Sequence, residues 1–477
     1  MLFNSIEYLF IFLPIVFCIY FFLNKIKLYN IAKFFLLIAS LYFYGSYKVE
    51  YVPILISLIL FNYLISFSFK FNITNKIKKS ILICGVIGNI LILLYFKYFN
   101  FLIEEISKIT NFTFNTMEVI LPLGISFFTL QQISYIIDCF KEKVKNYNLL
   151  DYSLFICFFP QLIAGPIVRH QEMIPQFRDL RRRVISQENI FIGIFLITIG
   201  LFKKTVFADN FVPFLNCVTE MELYNEFYIV WTMAIAKLLQ VYFDFSGYCD
   251  IALGSAFLFN ISLPWNFNSP FKATSIVEFW KRWNITFIRF LKDYVYKPLG
   301  SDKNGIYFQI RNILIMFLII GLWIGNNFMG ILYGIFNGIF VSIEYLFSKL
   351  KIKINIFFSR ILTLLSLIFT VQCMLVKNYS ELITVIKTMF GIDAIYHFII
   401  IKNFSIVFGL MRPHSAKFDF IPFLLSIIIV LYGKNSMELA RIYIKRYKPI
   451  YTFILAILFL IAVLSITRSN EFVYFSF

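Results

Sequence analysis

The chain has 477 residues, of which 60% are apolar, 20% aromatic and 15% charged, and its mean hydropathy is +0.79. A soluble domain is usually about 45–50% apolar and about 25% charged, and one soluble core could not hide so many apolar side chains. This composition excludes a disordered, collagenous or disulfide-framework protein and indicates that lipid is the solvent. Lys and Arg outnumber Asp and Glu by 44 to 26, a net charge of +18. Because these charges lie between apolar segments, they indicate cytoplasmic loops and not a nucleic-acid partner.

The first apolar span runs from Ile6 to Leu23 and lacks the basic region and cleavage site of a signal peptide. We therefore expect it to remain in the mature protein. Lys25, Lys27 and Lys33 follow it, which favours an extracytoplasmic amino terminus and a cytoplasmic first loop.

Four further apolar spans follow at residues 31–47, 51–69, 81–96 and 119–140. Each is close to the length that crosses a bilayer. The loops between them alternate in charge, with lysines after the third and fifth spans and glutamates between the fourth and the fifth. This alternation predicts five crossings of which the first, third and fifth end in the cytoplasm.

Residues 150–168 are apolar, but basic residues flank them on both sides and Pro160, Gly165 and Pro166 interrupt them. Positive charge on both flanks places both on the same side of the membrane, which argues against a crossing. Broken helices are tolerated within a membrane where protein or a cavity covers them. We expect a re-entrant or interfacial element here.

Later apolar stretches complete the pattern, at residues 190–202, 227–245, 248–263, 309–323, 328–347, 361–376, 421–432 and 450–466. We predict an all-α, polytopic helical bundle with about ten to twelve crossings plus re-entrant and amphipathic helices. A flexible linker and a fixed-period repeat are both missing from the sequence, so we expect one domain over residues 1–477.

Residue types that carry catalysis are few. The seven cysteines form no CxxC pair, so neither a metal site nor a disulfide framework is predicted. His170 follows a Gly-Pro turn, where a structural role is favoured, and His397 and His414 lack a carboxylate at helical spacing. Sequence motifs for a nucleophile elbow, a zinc hydrolase, a P-loop or a dinucleotide site do not occur.

Residues 264–303 interrupt the membrane pattern with seven basic residues and three tryptophans, Trp265, Trp280 and Trp283. Apolar side chains at helical spacing oppose a basic face: Phe279, Trp283, Phe287 and Phe290 against Lys281, Arg282, Arg289 and Lys292. This spacing predicts a cytoplasmic-side amphipathic helix on anionic lipid, with a functional role as the alternative.

Upstream, Lys237, Gln240 and Asp244 fall on one face of an otherwise apolar helix. Ionisable groups at membrane depth usually face a cavity or each other. Two interpretations remain open, a substrate path and a structural pair between Lys237 and Asp244.

Several motifs together resemble the membrane-bound O-acyltransferase (MBOAT) family, in particular the bacterial branch with the membrane subunits of alginate and peptidoglycan O-acetylation and of teichoic-acid D-alanylation. They are Met1–Ser5, Leu121–Ser126, Phe159–Ile167, Phe243–Tyr248, Asn266–Phe271, Phe279–Thr286, Leu291–Tyr294, Gly321–Gly325 and Glu471–Phe477.

The resemblance implies a helical membrane bundle with a central funnel, in which an acyl donor and a hydroxyl acceptor meet at a buried histidine. For the polysaccharide branch it implies acetyl-CoA as the cytoplasmic donor, with no bound cofactor or metal. It also implies an envelope glycan as the acceptor and an extracytoplasmic acetyltransferase as a partner besides membrane lipid. The expected location is the bacterial cytoplasmic membrane.

The sequence departs from the family where the base is expected. The family's Gly-Leu-Trp-His-Gly reads Gly-Leu-Trp-Ile-Gly here, so that Ile324 takes the place of the catalytic histidine, and Asn284 stands where the bacterial branch has a second histidine. Further candidates for the lining of the funnel are Trp280, Arg282, Trp283, Asp293, Trp323, Lys237 and Asp244.

Isoleucine neither accepts nor donates a proton, and loss of a general base typically costs about 10²–10⁴-fold in rate. We therefore expect a degenerate or strongly weakened O-acyltransferase. The alternatives are an active acyltransferase that uses Asn284 with an unrecognised base, a non-catalytic membrane scaffold, and a conduit for lipid or a small molecule.

Overall fold

The computed structural model describes residues 1–110, 121–142, 144, 147–220, 224, 226–301, 305–391, 420–445 and 449–466. Within these ranges the chain is mainly α-helical and contains no β-strand. The α-helices are α1 (Leu13–Lys25), α2 (Tyr29–Gly45), α3 (Val52–Ser68), α4 (Asn75–Thr110), α5 (Ile125–Phe140), α6 (Leu149–Cys157), α7 (Phe159–Leu162), α8 (His170–Arg178), α9 (Gln187–Phe202), α10 (Asp209–Glu220), α11 (Phe227–Leu258), α12 (Ile276–Arg282), α13 (Ile285–Leu291), α14 (Ile306–Ile324), α15 (Phe328–Lys349), α16 (Ile356–Val371), α17 (Tyr379–Met389), α18 (Phe420–Tyr432), α19 (Ser436–Lys445) and α20 (Pro449–Leu464).

Seven helices of the described ranges are long and apolar enough to cross a membrane: Glu7–Lys25, Val49–Ser68, Asn75–Thr110, Gln187–Glu220, Ile306–Ile324, Phe328–Lys349 and Ile356–Met374. A pair bent by 74°, Ile421–Tyr432 with Ser436–Ile444, makes an eighth if it is one span. Some other predicted spans form shorter helices, such as α2 with 17 residues and α20 with 16. The two spans predicted at residues 227–245 and 248–263 instead form the single helix α11 of 32 residues. The predicted all-α polytopic membrane fold is confirmed.

The chain divides into two compact units. Unit 1 comprises Met1–Thr198, Tyr248–Trp265 and Tyr443–Tyr447, and unit 2 comprises Ile199–Gly247, Asn266–Ile442 and Lys448–Phe477. His397, His414 and the closing motif Glu471–Phe477 lie outside the described residues.

The opening motif lies in the core of unit 1. Phe3 is 1% exposed, and its ring stacks on that of Tyr248 with the centroids 4.8 Å apart. Tyr8, also fully buried, donates a hydrogen bond of 2.7 Å to the hydroxyl of Ser255. The aromatic side chains near the start of the sequence, Phe3 and Tyr8, thus fill the interior of the unit.

A buried amide network joins α3, α4 and α5. Asn62 donates to Gln132 Oε1 at 2.6 Å, and Asn89 donates to Asn62 Oδ1 at 2.7 Å. Amides buried among apolar helices need such partners, because an unsatisfied polar group is costly away from water. The network therefore fixes how these three helices pack.

The predicted interruption of residues 150–168 is confirmed. The segment forms the short helices α6 and α7 on either side of Phe158, and every residue from 151 to 168 is buried. Neither helix is long enough to cross a bilayer. His170 then begins α8, fully buried, with Nε2 3.3 Å from Asp138 Oδ2 and Nδ1 3.4 Å from the Tyr147 hydroxyl. These contacts agree with the predicted structural role.

Candidate active site

A loop in unit 2 holds the segment that contains Asn284. The backbone N–H of Asn268 donates to the carbonyl of Arg282, and that of Ile285 donates to the carbonyl of Asn266, each at 3.0 Å. The side chain of Asn266 also accepts two hydrogen bonds from Thr286, at 2.6 Å from the hydroxyl and 3.3 Å from the backbone. Two of the sequence motifs thus form one hydrogen-bonded element.

The predicted amphipathic helix is not continuous. It is divided into α12 and α13, and between them Asn284 has φ 41° and ψ 54°, in the left-handed region. Asparagine tolerates this conformation better than most residues with a Cβ. The side chain of Asn284 is 2% exposed, and its Oδ1 atom has no hydrogen-bond partner in the described part of the chain.

The prediction that the apolar face of this segment lies on lipid is wrong. Its four apolar side chains are buried, at 2–6% exposure, within unit 2: Phe279, Trp283, Phe287 and Phe290. The Trp283 ring contacts those of Tyr242 and Phe267, with centroids 6.1 and 5.1 Å apart. Aromatic partners from distant parts of the sequence cover this face, which periodicity alone does not reveal.

Glycines bring α14 and α15 into backbone contact around position 324. A Cβ atom added to Gly321 would lie 2.4 Å from the carbonyl oxygen of Gly330, and one added to Gly325 would lie 2.7 Å from Gly330 Cα. The two glycines flank Trp323 and Ile324, so this packing sets the position of both residues.

Ile324 is the last residue of α14 and is 5% exposed. The ring of the preceding Trp323 lies 4.3 Å, centroid to centroid, from that of Phe287 on α13. Since α13 begins directly after Asn284, the structure brings the segments that carry Asn284 and Ile324 into contact. At position 324 the side chain is purely aliphatic.

Trp280 packs against the same helix. Its ring lies 5.1 Å from that of Phe317 on α14, and the side chain is 5% exposed. The indole Nε1 of Trp280 has no hydrogen-bond partner among the described residues. A buried indole usually finds an acceptor, so this donor, like Asn284 Oδ1, is available to a polar ligand or a water molecule.

Arg282 and Asp293 have partners within the protein. Arg282 pairs with Glu278 at 2.7 Å and donates to the carbonyl of Asn268 at 3.1 Å. Burial would raise the pKa of Glu278, but hydrogen bonds from Thr274 and Arg282 outweigh it and lower the pKa below the usual value. Asp293 pairs with Lys297 at 2.6 Å. These contacts give Arg282 a role in holding the loop.

The predicted ion pair between Lys237 and Asp244 is wrong, because Asp244 pairs with a different lysine, Lys204. Lys204 lies 2.7 Å from Asp244 and 2.9 Å from Asp209, and all three side chains are at most 5% exposed. Lys237 instead donates to Gln240 at 3.1 Å. The π-helical turn Lys203–Ala208 places Lys204 here. In the sequence, the signal for this residue is a lysine directly after an apolar stretch.

The bent pair of α18 and α19 is attached to the same loop. Lys272 Nζ donates to the carbonyl of Gly433 at 2.6 Å, at the carboxyl end of α18. Asn435 donates to Asn268 Oδ1 and to the hydroxyl of Ser269, both at 3.0 Å. Sequence reasoning missed these anchors, although Gly433 indicates a helix end. No group of three or more His, Cys, Asp or Glu side chains in the described ranges is placed to hold a metal ion.

Comparison with known proteins agrees with this architecture. Residues 139–379 match the model of the MBOAT, membrane-bound O-acyltransferase family. The peptidoglycan O-acetyltransferase of Helicobacter pylori is 39% identical over 83% of this chain and 81% of its own length. The probable alginate O-acetylase AlgI of Pseudomonas aeruginosa is 34% identical, with 72% and 66% covered. The teichoic acid D-alanyltransferase of Bacillus subtilis is 26% identical, with 48% and 60% covered.

Fold and site together define a multi-pass helical membrane protein with two family motifs packed at one place. The chain belongs to the membrane-bound O-acyltransferase family. The names of its two more similar relatives describe O-acetylation, of peptidoglycan and of alginate.

Proposed function

We propose that this chain is the membrane subunit of a bacterial envelope-polysaccharide O-acetylation system, with a chemical step that is lost or strongly weakened. The single observation that carries the proposed loss of the chemical step is Ile324, at the end of α14 in an intact glycine-flanked segment. The proposed role in envelope-polysaccharide O-acetylation is supported by the similarity to a peptidoglycan O-acetyltransferase over most of both chains.

The reaction explains why position 324 matters. A base must take the proton from an acceptor hydroxyl while the hydroxyl oxygen attacks the acyl carbonyl, and hydrogen-bond donors must stabilise the oxyanion that develops. In this proposal acetyl-CoA from the cytoplasm is the donor, an envelope glycan is the acceptor, and the thiol of coenzyme A leaves. Ile324 has no lone pair to receive the proton.

A retained acyltransferase function with another base is the second candidate. Its support is that Asn284 Oδ1 and Trp280 Nε1 are buried polar atoms without a partner in the described chain. Leaving such atoms unsatisfied costs about 1–3 kcal/mol each. Protein packing alone does not explain that cost, whereas a polar substrate that pairs with these atoms would.

Acetyl transfer and hydrolysis of labelled acetyl-CoA by the purified full chain test both candidates. In one detergent, the wild type is compared with Ile324→His, with Asn284→Ala and with Ile320→His as the matched control on α14. We expect a silent wild type and a gain of at least about 10²-fold in Ile324→His, with no gain in Ile320→His. A wild type that turns over as fast as Ile324→His contradicts the proposed loss, and loss of that turnover in Asn284→Ala then favours the second candidate.

The proposal also includes an extracytoplasmic acetyltransferase as a partner in the bacterial cytoplasmic membrane. The full chain should co-purify with such a transferase from its own cells whether or not position 324 is restored to histidine. Co-purification with the Ile324→His variant alone would contradict a scaffold role for the natural chain.

A further inference from the structure

A cavity of about 230 Å³ opens in unit 1 where two helices end. Its walls include Tyr63 and Phe67 from the last turns of α3 and Tyr135 from α5, and five of its lining side chains are aromatic. Pockets for drug-sized ligands begin at roughly 300 Å³. This cavity therefore suits a smaller group, of the size of a lipid headgroup.

Two opposite charges line this cavity without neutralising each other. Lys70 and Glu142 both lie in its wall and both are exposed. Within the described ranges neither forms an ion pair, with the other or with a third residue; Lys70 instead lies over the ring of Phe67, 4.8 Å from its centroid. One small aromatic cavity thus offers a site for an anion and a site for a cation.

Contacts behind the wall hold the aromatic rings in place. The Tyr147 hydroxyl lies 3.4 Å from His170 Nδ1, and the guanidinium of Arg178 lies 5.1 Å from the Tyr147 ring centroid. Tyr135 is packed on Tyr152, with the ring centroids 4.5 Å apart. A cavity that is held this way before binding loses little entropy when a ligand enters.

The position of the cavity along the chain indicates that it faces a membrane interface. It is built at the carboxyl end of Val49–Ser68, one of the candidate spans. Tyrosine and lysine side chains are typical of this level of a bilayer, where their polar ends meet the headgroups. A ligand with an acyl tail can reach such a site from the lipid.

We propose that this cavity binds the headgroup of a zwitterionic aminophospholipid, of the phosphoethanolamine class. Its phosphate faces the Lys70 ammonium, and its own ammonium lies against the tyrosine rings and the Glu142 carboxylate. Aromatic faces attract cations through their quadrupole. An anionic headgroup such as phosphatidylglycerol uses Lys70 alone. This inference concerns unit 1 and does not depend on acyl transfer.

Binding to the full chain in detergent tests the proposal, with short-chain phosphatidylethanolamine, short-chain phosphatidylglycerol and soluble glycerophosphoethanolamine as probes. We expect the first probe to bind best. Glu142→Gln should weaken it about fivefold, the worth of a partly exposed ion pair, and leave phosphatidylglycerol unchanged. Lys70→Gln should weaken both lipids. Lys79→Gln, an exposed lysine outside the cavity, is the matched control and should change neither.

Equal affinity of the wild type for the two lipids, or an unchanged preference in Glu142→Gln, overturns the proposal. If soluble glycerophosphoethanolamine binds as tightly as the lipid, the claim that the ligand is a membrane lipid is overturned. Lipid that co-purifies with each variant gives a second measurement, and Glu142→Gln should retain less phosphatidylethanolamine relative to phosphatidylglycerol than the wild type. The thermal midpoint of each variant shows that it is folded.

Discussion

Asn266 Oδ1 accepts both the hydroxyl hydrogen of Thr286, at 2.6 Å, and its backbone N–H, at 3.3 Å. Together with the backbone hydrogen bond from Ile285 to Asn266, this contact fixes the chain directly after Asn284. The left-handed conformation of Asn284 is therefore supported by a residue that lies 18 positions earlier in the sequence. A polar contact inside unit 2, more than any local helix propensity, holds this part of the candidate site.

Asn266→Ala should destabilise the protein and disturb Asn284. The substitution leaves the buried Thr286 without this acceptor, which costs about 1–3 kcal/mol in the free energy of unfolding. Denaturation in mixed micelles measures the change, with Asn72→Ala in an exposed loop as the control. In the Ile324→His background the same substitution should also reduce kcat for acetyl transfer. Wild-type stability of Asn266→Ala would show that this hydrogen bond is dispensable.

Gly330→Ala should push α14 and α15 apart. Its new Cβ would lie 2.6 Å from Gly325 Cα and 3.0 Å from the Gly321 carbonyl oxygen, and backbone atoms cannot move aside as side chains can. Overpacking of this kind costs about 1–3 kcal/mol. Gly338→Ala on the same helix is the matched control, because its closest neighbours are side-chain atoms of Leu314 and Phe317 at 3.1 Å. An equal loss of stability in both variants would contradict the backbone contact as the cause.

Lys204→Met should be far more harmful than Lys237→Met. The first substitution leaves Asp209 and Asp244 buried without their shared cation, which costs about 3–5 kcal/mol. The second removes a hydrogen bond to Gln240, which is worth about 1 kcal/mol. Thermal unfolding of both variants in one detergent makes the comparison. The reverse order of stability would restore Lys237 as the partner of Asp244.

Acid should weaken the loop that contains Glu278. Because hydrogen bonds from Thr274 and Arg282 lower the pKa of Glu278 in the folded state below its usual value of 4.5, the unfolded chain takes up the proton first as the pH falls. The stabilisation is present above the usual pKa and disappears as the pH drops through the lowered one. Thermal midpoints between pH 7 and pH 3 should therefore fall more steeply in the wild type than in Glu278→Gln; parallel curves would contradict the expectation.

In the amphipathic segment, the sequence predicted the two faces of the helix but not the partner that packs on the apolar one. Its spacing correctly separated an apolar face with Phe279, Trp283 and Phe287 from a basic face. The spacing also led to the prediction that lipid buries the apolar face. In the structure, Tyr242 and Phe267 of unit 2 pack on this face instead. Periodicity reports that a face is buried and says nothing about which partner buries it. For the same reason the partner of Asp244 was misassigned, because a contact between separate helices has no fixed spacing in the sequence.

The sequence by itself determined the lipid environment, the helical class, the family and the presence of an aliphatic side chain, Ile324, in the Gly321–Gly325 motif. Composition, the length of apolar runs and the motif letters can all be read without coordinates. Only the tertiary structure decided that Asn284 interrupts a helix in a left-handed conformation, that Lys204 neutralises two carboxylates, and that Gly330 fixes the turn around Ile324. These features depend on atoms that chain folding brings within a few ångströms of each other, and such short-range contacts arise between residues whose separation along the chain follows no rule.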